Sequence, residues 1–411
     1  MFTGIEYTPA WYLNAGMIIT LKLEQNDKRS NCPLCDKRPI VNDYHAKNLT
    51  FGTINGVPLV FKMRHCRYLC KSCNITFMDN FENLPDFRSL TQDADNYIIS
   101  KIGNQPLKAL ADELGVCVQT IANRAHEYSK VERALQLNGR YTHLSMDEVF
   151  ISRNADGEAL YYWLLNDNSV SWKSNNIRVD EGRKQEDVIK RLQELKYPAH
   201  VVSVSIDMWK PYRDAILQVL PQAAIVIDRF HVVKIAQSGM DTIRKRADIP
   251  KNLKSEFKKD AGLFLSSIFK LSETELIRLE SYLKANKDLE TAYFITQELM
   301  EFYNLRDYEH ALEYLASWET SVTSSGIKEM ESILSTVTNW LPYIMNYFIY
   351  RVTSGRTEGR NNLLRTIDRM GFHYGVVSLQ ACLYAHDRRQ EYSRWKKHQR
   401  KRQLRLLNSA A

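Results

Sequence analysis

Three apolar, β-branched stretches that carry or end in an acid narrow most sharply what this chain can fold into. They are Tyr141-Thr-His-Leu-Ser-Met-Asp147-Glu-Val-Phe-Ile151, Val201-Val-Ser-Val-Ser-Ile-Asp207-Met-Trp209 and Ala223-Ala-Ile-Val-Ile-Asp228-Arg-Phe-His231. Short apolar runs of this kind read as buried strands, and parallel or mixed α/β sheets present functional residues at their strand ends. A carboxylate in such a place is costly unless a cation or a metal meets it. Each acid alone would also serve as the N-cap of a following helix. Three of them within about eighty residues are harder to explain that way.

The rest of the chain arranges itself around this region. The length of 411 residues suggests two to four domains, and 44% hydrophobic residues are ample for a core. Short alternating runs such as Val57-Pro-Leu-Val-Phe61 suggest small strands before residue 85, and residues 88 to 135 read as short helices. Between Thr142 and Asp228 the β-rich runs surround one amphipathic helix. From His231 to about Tyr350 apolar residues recur at helical spacing, and a break at Thr353–Gly355 precedes another helix. No apolar run is long enough for a membrane span and no signal-peptide pattern opens the chain, so a cytoplasmic protein without a membrane partner is the expectation.

Cys32-Pro-Leu-Cys35 and Cys70-Lys-Ser-Cys73 are two Cys-x-x-Cys knuckles with 34 residues between them. Four thiolates suit tetrahedral zinc, and the separation fits a ribbon with a strand pair between its knuckles. The plain alternative is reduced core cysteines. A site closed by Cys32, Cys35, Cys70 and Cys73 would hold structure and perform no chemistry. His65 and Cys66 are possible substitute ligands, and Cys117 and Cys382 fit helix cores.

Leu107 to His126 has the pattern of two helices joined at Gly115. Val118, Ile121 and Ala122 would pack inward, leaving Gln119, Thr120, Asn123 and Arg124 outward, types suited to base edges and phosphates. Any helical hairpin can imitate this. A fourth acid, Glu358, lies in Ser354-Gly-Arg-Thr-Glu-Gly-Arg-Asn-Asn-Leu-Leu-Arg365, where Arg356, Arg360, Asn361, Asn362 and Arg365 suit DNA backbone contact or, more plainly, form a charged surface helix. Net charge is +8, and from Arg388 to Arg405 nine Lys/Arg stand against one acid, Glu391. Such a tail suits a polyphosphate partner or simply a solvated helix end.

The acids together fit phosphodiester chemistry. Two Mg²⁺ (or Mn²⁺) ions about 3.5–4 Å apart activate an attacking oxygen and stabilise a leaving one, and they prefer carboxylate oxygens with water completing the shell. In an RNase H-like sheet Asp147 would take the first-strand position that bridges both ions, Asp207 would hold one from the neighbouring strand, and Glu358 would hold the other from a helix.

The ordered set Cys32-Pro-Leu-Cys35, Cys70-Lys-Ser-Cys73-Asn-Ile-Thr-Phe77, the helix pair, Met146-Asp-Glu148, Ser205-Ile-Asp-Met208 with Tyr212, Ile227-Asp-Arg-Phe-His231 and Gly355-Arg-Thr-Glu-Gly-Arg-Asn-Asn362 resembles the ISL-three (ISL3) insertion-sequence family of bacterial DDE transposases. The resemblance runs from about residue 30 to 390. It implies a catalytic triad of Asp147, Asp207 and Glu358, and Asp228-Arg-Phe-His231 is similar to an Asp-x-x-His element of related transposase groups, which would support the site, contact DNA near the cleaved phosphate or serve the structure at a distance. It also implies double-stranded DNA partners, both terminal inverted repeats and target, and a homodimer that pairs two ends. The expected fold is multidomain α+β. Residues 1–85 would form a zinc ribbon-like module and 86–138 a helix-turn-helix. An RNase H-like α/β core over 139–231 and 351–387 would be interrupted by an all-α insertion at 232–350, with a basic tail at 388–411. Two other functions stay open: a DNA-binding regulator derived from a transposase, and a metal-dependent nuclease without joining activity. All three triad acids are present, which favours the enzyme over the regulator.

Overall fold

The computed structural model describes residues 2–8, 18–24, 31–78, 90–153, 157–170, 173–352 and 355–409. Contacts divide the chain into two compact units, Met1–Leu135 with Leu363–Ala411, and Gln136–Asn362.

The first unit is built on a sheet of β1 (Phe2–Thr8), β2 (Ile18–Glu24), β3 (Ile40–Ile54), β4 (Val57–Cys70) and β5 (Ile75–Met78), in the order β1-β2-β4-β3 with β5 on β4. Strands β3 and β4 form one long antiparallel hairpin, and it fills the interval between the two cysteine knuckles. Asn55 and Gly56 close it with φ of 51° and 77°. Two residues of positive φ match the twist of the flanking strands, and Asn-Gly reaches that conformation at little cost. Helices α1 (Gln92–Lys101), α2 (Leu107–Leu114) and α3 (Val118–Leu137) follow. The Thr91 hydroxyl caps α1 by accepting from the Ala94 amide, and Gly115 ends α2 in the left-handed conformation at φ 66°.

Two expectations for this helical segment change. Val118 is 41% exposed and does not pack inward; Ile121 and Ala125 are the residues α3 buries there. Cys117 is exposed, with its sulfur 3.0 Å from the Thr120 hydroxyl at the start of α3, whereas Cys382 is fully buried as expected.

Helix α14 (Val376–Ser409) belongs to the same unit and runs without interruption past residue 388. Arg388 pairs with Glu132 of α3 at 3.0 Å, and Arg389 donates to the Ile102 carbonyl at 2.9 Å. Those contacts hold the start of the expected tail within the fold.

The second unit contains a mixed sheet of β6 (His143–Arg153), β7 (Ala159–Val170), β8 (Lys173–Glu181), β9 (Ser203–Ile206) and β10 (Ala224–Ile227), ordered β10-β9-β6-β7-β8. β6, β7 and β8 run antiparallel in sequence, and β9 and β10 add in parallel on the other side of β6. Where one helix was expected there are two, α4 (Gln185–Gln193) before β9 and α5 (Lys210–Val219) before β10. Each supplies the crossover that a parallel neighbour requires.

After β10 the chain is helical through α6 (Arg229–Arg246), α7 (Lys254–Lys259), α8 (Ala261–Leu265), α9 (Glu273–Ala285), α10 (Lys287–Phe302), α11 (Tyr308–Ser325) and α12 (Lys328–Tyr350). Their apolar faces join the sheet in one continuous core, from Leu144 and Val204 through Met240 and Phe302 to Phe348. Asn346 of α12 donates to the Ile225 carbonyl of β10 at 2.7 Å, so α12 lies on the sheet itself. Arg351, at φ 52°, ends α12 and turns the chain toward α13 (Gly355–Met370).

The pair Arg124–Asp95 fixes α3 on α1: both Asp95 oxygens accept from the guanidinium at 2.7 Å, and Asp95 is 2% exposed. Removing one partner of such a buried pair strands the other charge, at roughly 3–5 kcal/mol. Asp95→Ala is therefore expected to lower urea-unfolding stability of the first unit by that order, and a change under about 1 kcal/mol would contradict the assignment.

Candidate active site and metal centre

The cysteine centre is built by two similar turns. Cys32–Cys35 lies in a turn closed by hydrogen bonds from the Cys32 amide to the Lys37 carbonyl and from the Asp36 amide to the Cys32 carbonyl. Cys70 ends β4, and Cys73 precedes β5. The residue after each second cysteine, Asp36 or Asn74, is left-handed at φ 55° or 53°, a conformation that Asp and Asn tolerate better than most residues. The four sulfurs lie within 4.8 Å of one another, with Cys35 and Cys70 at 3.6 Å. Four Zn–S bonds of about 2.3 Å in a tetrahedron place sulfurs about 3.8 Å apart, so the donor set fits zinc. The Cys70 thiol is drawn down to about 7, foremost by a backbone hydrogen bond from Cys73, while the Cys73 thiol, hydrogen-bonded to Cys35, is pushed up to about 12. Crowded thiols resist ionising together; a dication reverses that preference. Cys66 lies outside this quartet, and the His65 side chain lies outside the described residues.

The acids occupy the second unit. β6 and β9 pair in parallel through His143↔Ser203, Leu144↔Val204 and Ser145↔Ser205. Two residues beyond that last pair come Asp147, still within β6, and Asp207, the residue that follows β9. β10 repeats the relation, Ile206↔Ile227, which sets Asp228 level with Asp207.

Successive side chains of a strand point to opposite faces, and β6 separates its two neighbouring acids that way. Glu148 accepts a hydrogen bond from the Tyr212 hydroxyl of α5 at 3.1 Å and pairs with Arg183. The Arg183 guanidinium in turn stacks on Tyr161 and Trp209, 4.2 and 4.9 Å from the ring centroids. Asp147 faces α13. Its Oδ2 accepts from Asn361 Nδ2 at 2.6 Å, and its Oδ1 accepts from the Glu148 amide at 2.8 Å. One turn earlier on α13, the fully buried Thr357 hydroxyl lies 2.8 Å from the Ser145 hydroxyl.

Asp207 carries the electrostatic signature of the site. Its carboxyl is raised to about 6, first by burial and then by the charges of Asp147 and Glu148, against the opposing pull of His231 and Arg183. Its Oδ1 is buried without a hydrogen-bond partner among the described residues. Glu358 is exposed on the first turn of α13, between Thr357 and Asn361. Among the described residues, the oxygens of Asp147, Asp207 and Glu358 do not gather as closely as the four sulfurs.

Other sequence candidates fall out differently. Asp228 is buried in front of α6 and close enough to Tyr303, the residue after α10, to raise its hydroxyl further, after burial. His231 is half-buried beside Asp207. Gln119 and Asn123 are exposed and joined by a 2.8 Å hydrogen bond, and Thr120 is half-buried. Arg124 is occupied by Asp95. In α13 Asn362 is exposed and Arg360 and Arg365 are half-buried, whereas Asn361 is buried against Asp147; the Arg356 side chain lies outside the described residues. Sequence reasoning missed Arg183 and the Asn361–Asp147 contact. Nothing in a polar helix segment signals which residue turns inward.

The family model of ISL3-type DDE transposases, described as transposase, matches residues 144–381, more than half of the chain. The transposase for insertion sequence element IS1001 of Bordetella parapertussis is 28% identical over 181 residues, which is 42% of this chain and 44% of that protein. The match thus spans less than half of that relative's length. Among solved structures, the Drosophila P element transposase strand transfer complex aligns with 75% of this chain and 92% of that one, at 9% identity and a TM-score of 0.39.

Two outcomes are expected. Cys70→Ser should abolish bound zinc and, since such sites contribute on the order of 10 kcal/mol to folding, remove hydrogen-exchange protection from β3 and β4 while β9 and β10 keep theirs; retained protection would contradict a structural centre. Asp207 has its carboxyl raised in the folded state, so the metal-free protein loses stability as pH rises from about 4 through about 6 and carries the full penalty above that. Asp207→Asn should therefore stabilise the protein in chelator at pH 8 by roughly 2–3 kcal/mol, read as a higher melting temperature; a lower one would contradict it.

Proposed function

Because this chain belongs to the ISL3 family of DDE transposases, we propose that it binds the terminal inverted repeats of an insertion sequence and catalyses metal-dependent DNA strand cleavage and strand transfer. One observation carries the proposal: Asp147, within β6, and Asp207, the residue that follows β9, each lie two positions beyond the last pair of adjacent parallel strands, and α13, which bears Glu358, is hydrogen-bonded to Asp147 through Asn361. A mixed sheet with its first strand central, the first acid on that strand and the second on its parallel neighbour supports an RNase H-like core. Helices α6 to α12, between Asp228 and Glu358, are then its all-α insertion.

The donor set fits magnesium or manganese. All three proposed ligands are hard carboxylate oxygens, and the buried, unpartnered Oδ1 of Asp207 is a lone pair in want of a cation. Asp147, Asp207 and Glu358 would together hold the ions. Bound there, the pair supplies the charge that activates an attacking oxygen and stabilises a leaving one. The protein's own part is to keep the carboxylates ionised and oriented. The Glu148 amide and Asn361 hold Asp147, and His231 and Arg183 offset the repulsion on Asp207. No protein nucleophile is required: water makes the nick, and a DNA 3′-hydroxyl makes the join.

In the first unit, the exposed Gln119 and Asn123 with Thr120 on α3 support a helix-turn-helix that reads the major groove. The cysteine module lies just upstream in sequence, and Asn362, Arg360 and Arg365 serve backbone contact. The partners are double-stranded DNA and a second copy of the chain, since two ends must be brought together.

Asp147→Asn should abolish nicking and joining, by at least about a thousandfold, while end binding in a gel-shift assay stays within about twofold. Equal loss of binding would contradict the role. A precut end with a 3′-hydroxyl that yields no joined product with wild-type protein would favour a nuclease, and binding without any cleavage would favour a regulator.

A further inference from the structure

The hydrogen bond from Asn361 to Asp147 joins residues 214 positions apart, and it belongs to a two-point contact. Thr357 and Asn361 are spaced i, i+4 on α13, so they share a face. Their partners Ser145 and Asp147 are spaced i, i+2 on β6, so they share a face as well. Four residues of α-helix advance about 6 Å, and two residues of strand advance about 6.7 Å. The spacings match only when helix and strand run the same way in one register. A slip of one turn would carry Glu358 about 5.4 Å along the strand.

Glu358 itself is exposed, so its own packing does not set its place; the helix that carries it does. The orientation of the Asn361 amide follows from its neighbour. Turned over, its carbonyl oxygen would face a carboxylate oxygen, acceptor against acceptor. Asn361 is 6% exposed, and its Oδ1 has no partner among the described residues, an arrangement that volume filling alone would not favour.

We infer that Asn361 is a positioning residue: it fixes the Asp147 carboxylate and the register of α13 on β6, and so sets the affinity of the acid trio for divalent metal. The inference rests on the transposase chemistry proposed above. Asn361 acts through Asp147 and Glu358, and touches neither DNA nor the reacting phosphate.

The test uses the full chain and Mn²⁺ as probe, followed by the loss of the aqueous Mn²⁺ resonance without DNA and by Mg²⁺ titration of nicking on end DNA. Asn361→Ala and Asn361→Leu, which remove the donor with and without its volume, should each raise half-saturating Mn²⁺ and half-activating Mg²⁺ by about tenfold or more, with end-DNA affinity unchanged. Asn361→His, whose Nδ1 donates at nearly the same reach, should restore both values toward wild type. Should the Asn361 variants fail to fold, Ser145→Ala trims only the hydroxyl of the other anchor and should shift metal affinity in the same direction. An Asn361→Leu variant equal to wild type, an Asn361→His variant as poor as Asn361→Leu, or an unshifted Ser145→Ala in place of unfolded variants overturns the inference alone. A wild-type chain that neither takes up Mn²⁺ nor nicks overturns the chemistry on which it rests.

Discussion

Like charges brought to one place repel, and the centre of this protein is organised around that fact. Asp147 on β6 and Asp207 just past the end of its parallel neighbour β9 stand side by side, with Glu148 next along β6 and Asp207 largely withdrawn from water. Water would screen such a group if the strands ended in solvent. Here burial is the larger burden and the neighbouring acids add to it, so the Asp207 carboxyl rises to about 6. A fold optimised for stability alone would place Asn or Ser there. The surrounding residues temper the strain without cancelling it. Arg183 and Tyr212 tie Glu148 away on the α5 face, and the Glu148 amide and Asn361 stabilise Asp147. What is left is concentrated, oriented negative charge, the condition a divalent cation would relieve.

The rest of the second unit serves to hold that charge in place. α4 and α5 provide the crossovers that bring β9 and β10 beside β6, and so bring Asp207 beside Asp147. α12 is bonded to β10 and shares its apolar core with the other helices after the sheet. The chain then turns at Arg351 into α13, which is anchored to the first strand by polar contacts. An apolar face would tolerate sliding; a pair of hydrogen bonds at matched spacing does not.

The parts legible in the sequence were those with a local signature. Apolar runs ending in acids announced β9 and β10, because burial on both faces of a strand leaves little choice of residue. Paired cysteines announced the sulfur cluster, since no other local pattern brings four thiols within reach. The features that stayed hidden depend on contacts across the chain. Asn361 and Asn362 are indistinguishable in sequence, yet one is buried on Asp147 and the other exposed. Arg124 reads as a DNA-facing residue until Asp95, 29 residues away, is placed beneath it. Val118 and Cys117 are apolar enough for a core but fall at the start of a helix, where the chain is still turning. The basic run from Arg388 looked like a separate tail because charge density, not helix continuity, marked it.

Three carboxylates sharing a pair of cations are the heart of the proposed chemistry, and anomalous diffraction from crystals of the chain with end DNA and Mn²⁺ tests that most directly. Two peaks about 3.5–4 Å apart are expected, both within bonding distance of Asp147, with Asp207 completing one and Glu358 the other. Peaks coordinated by Glu148 in place of Glu358, or no peak between β6 and β9, would contradict it.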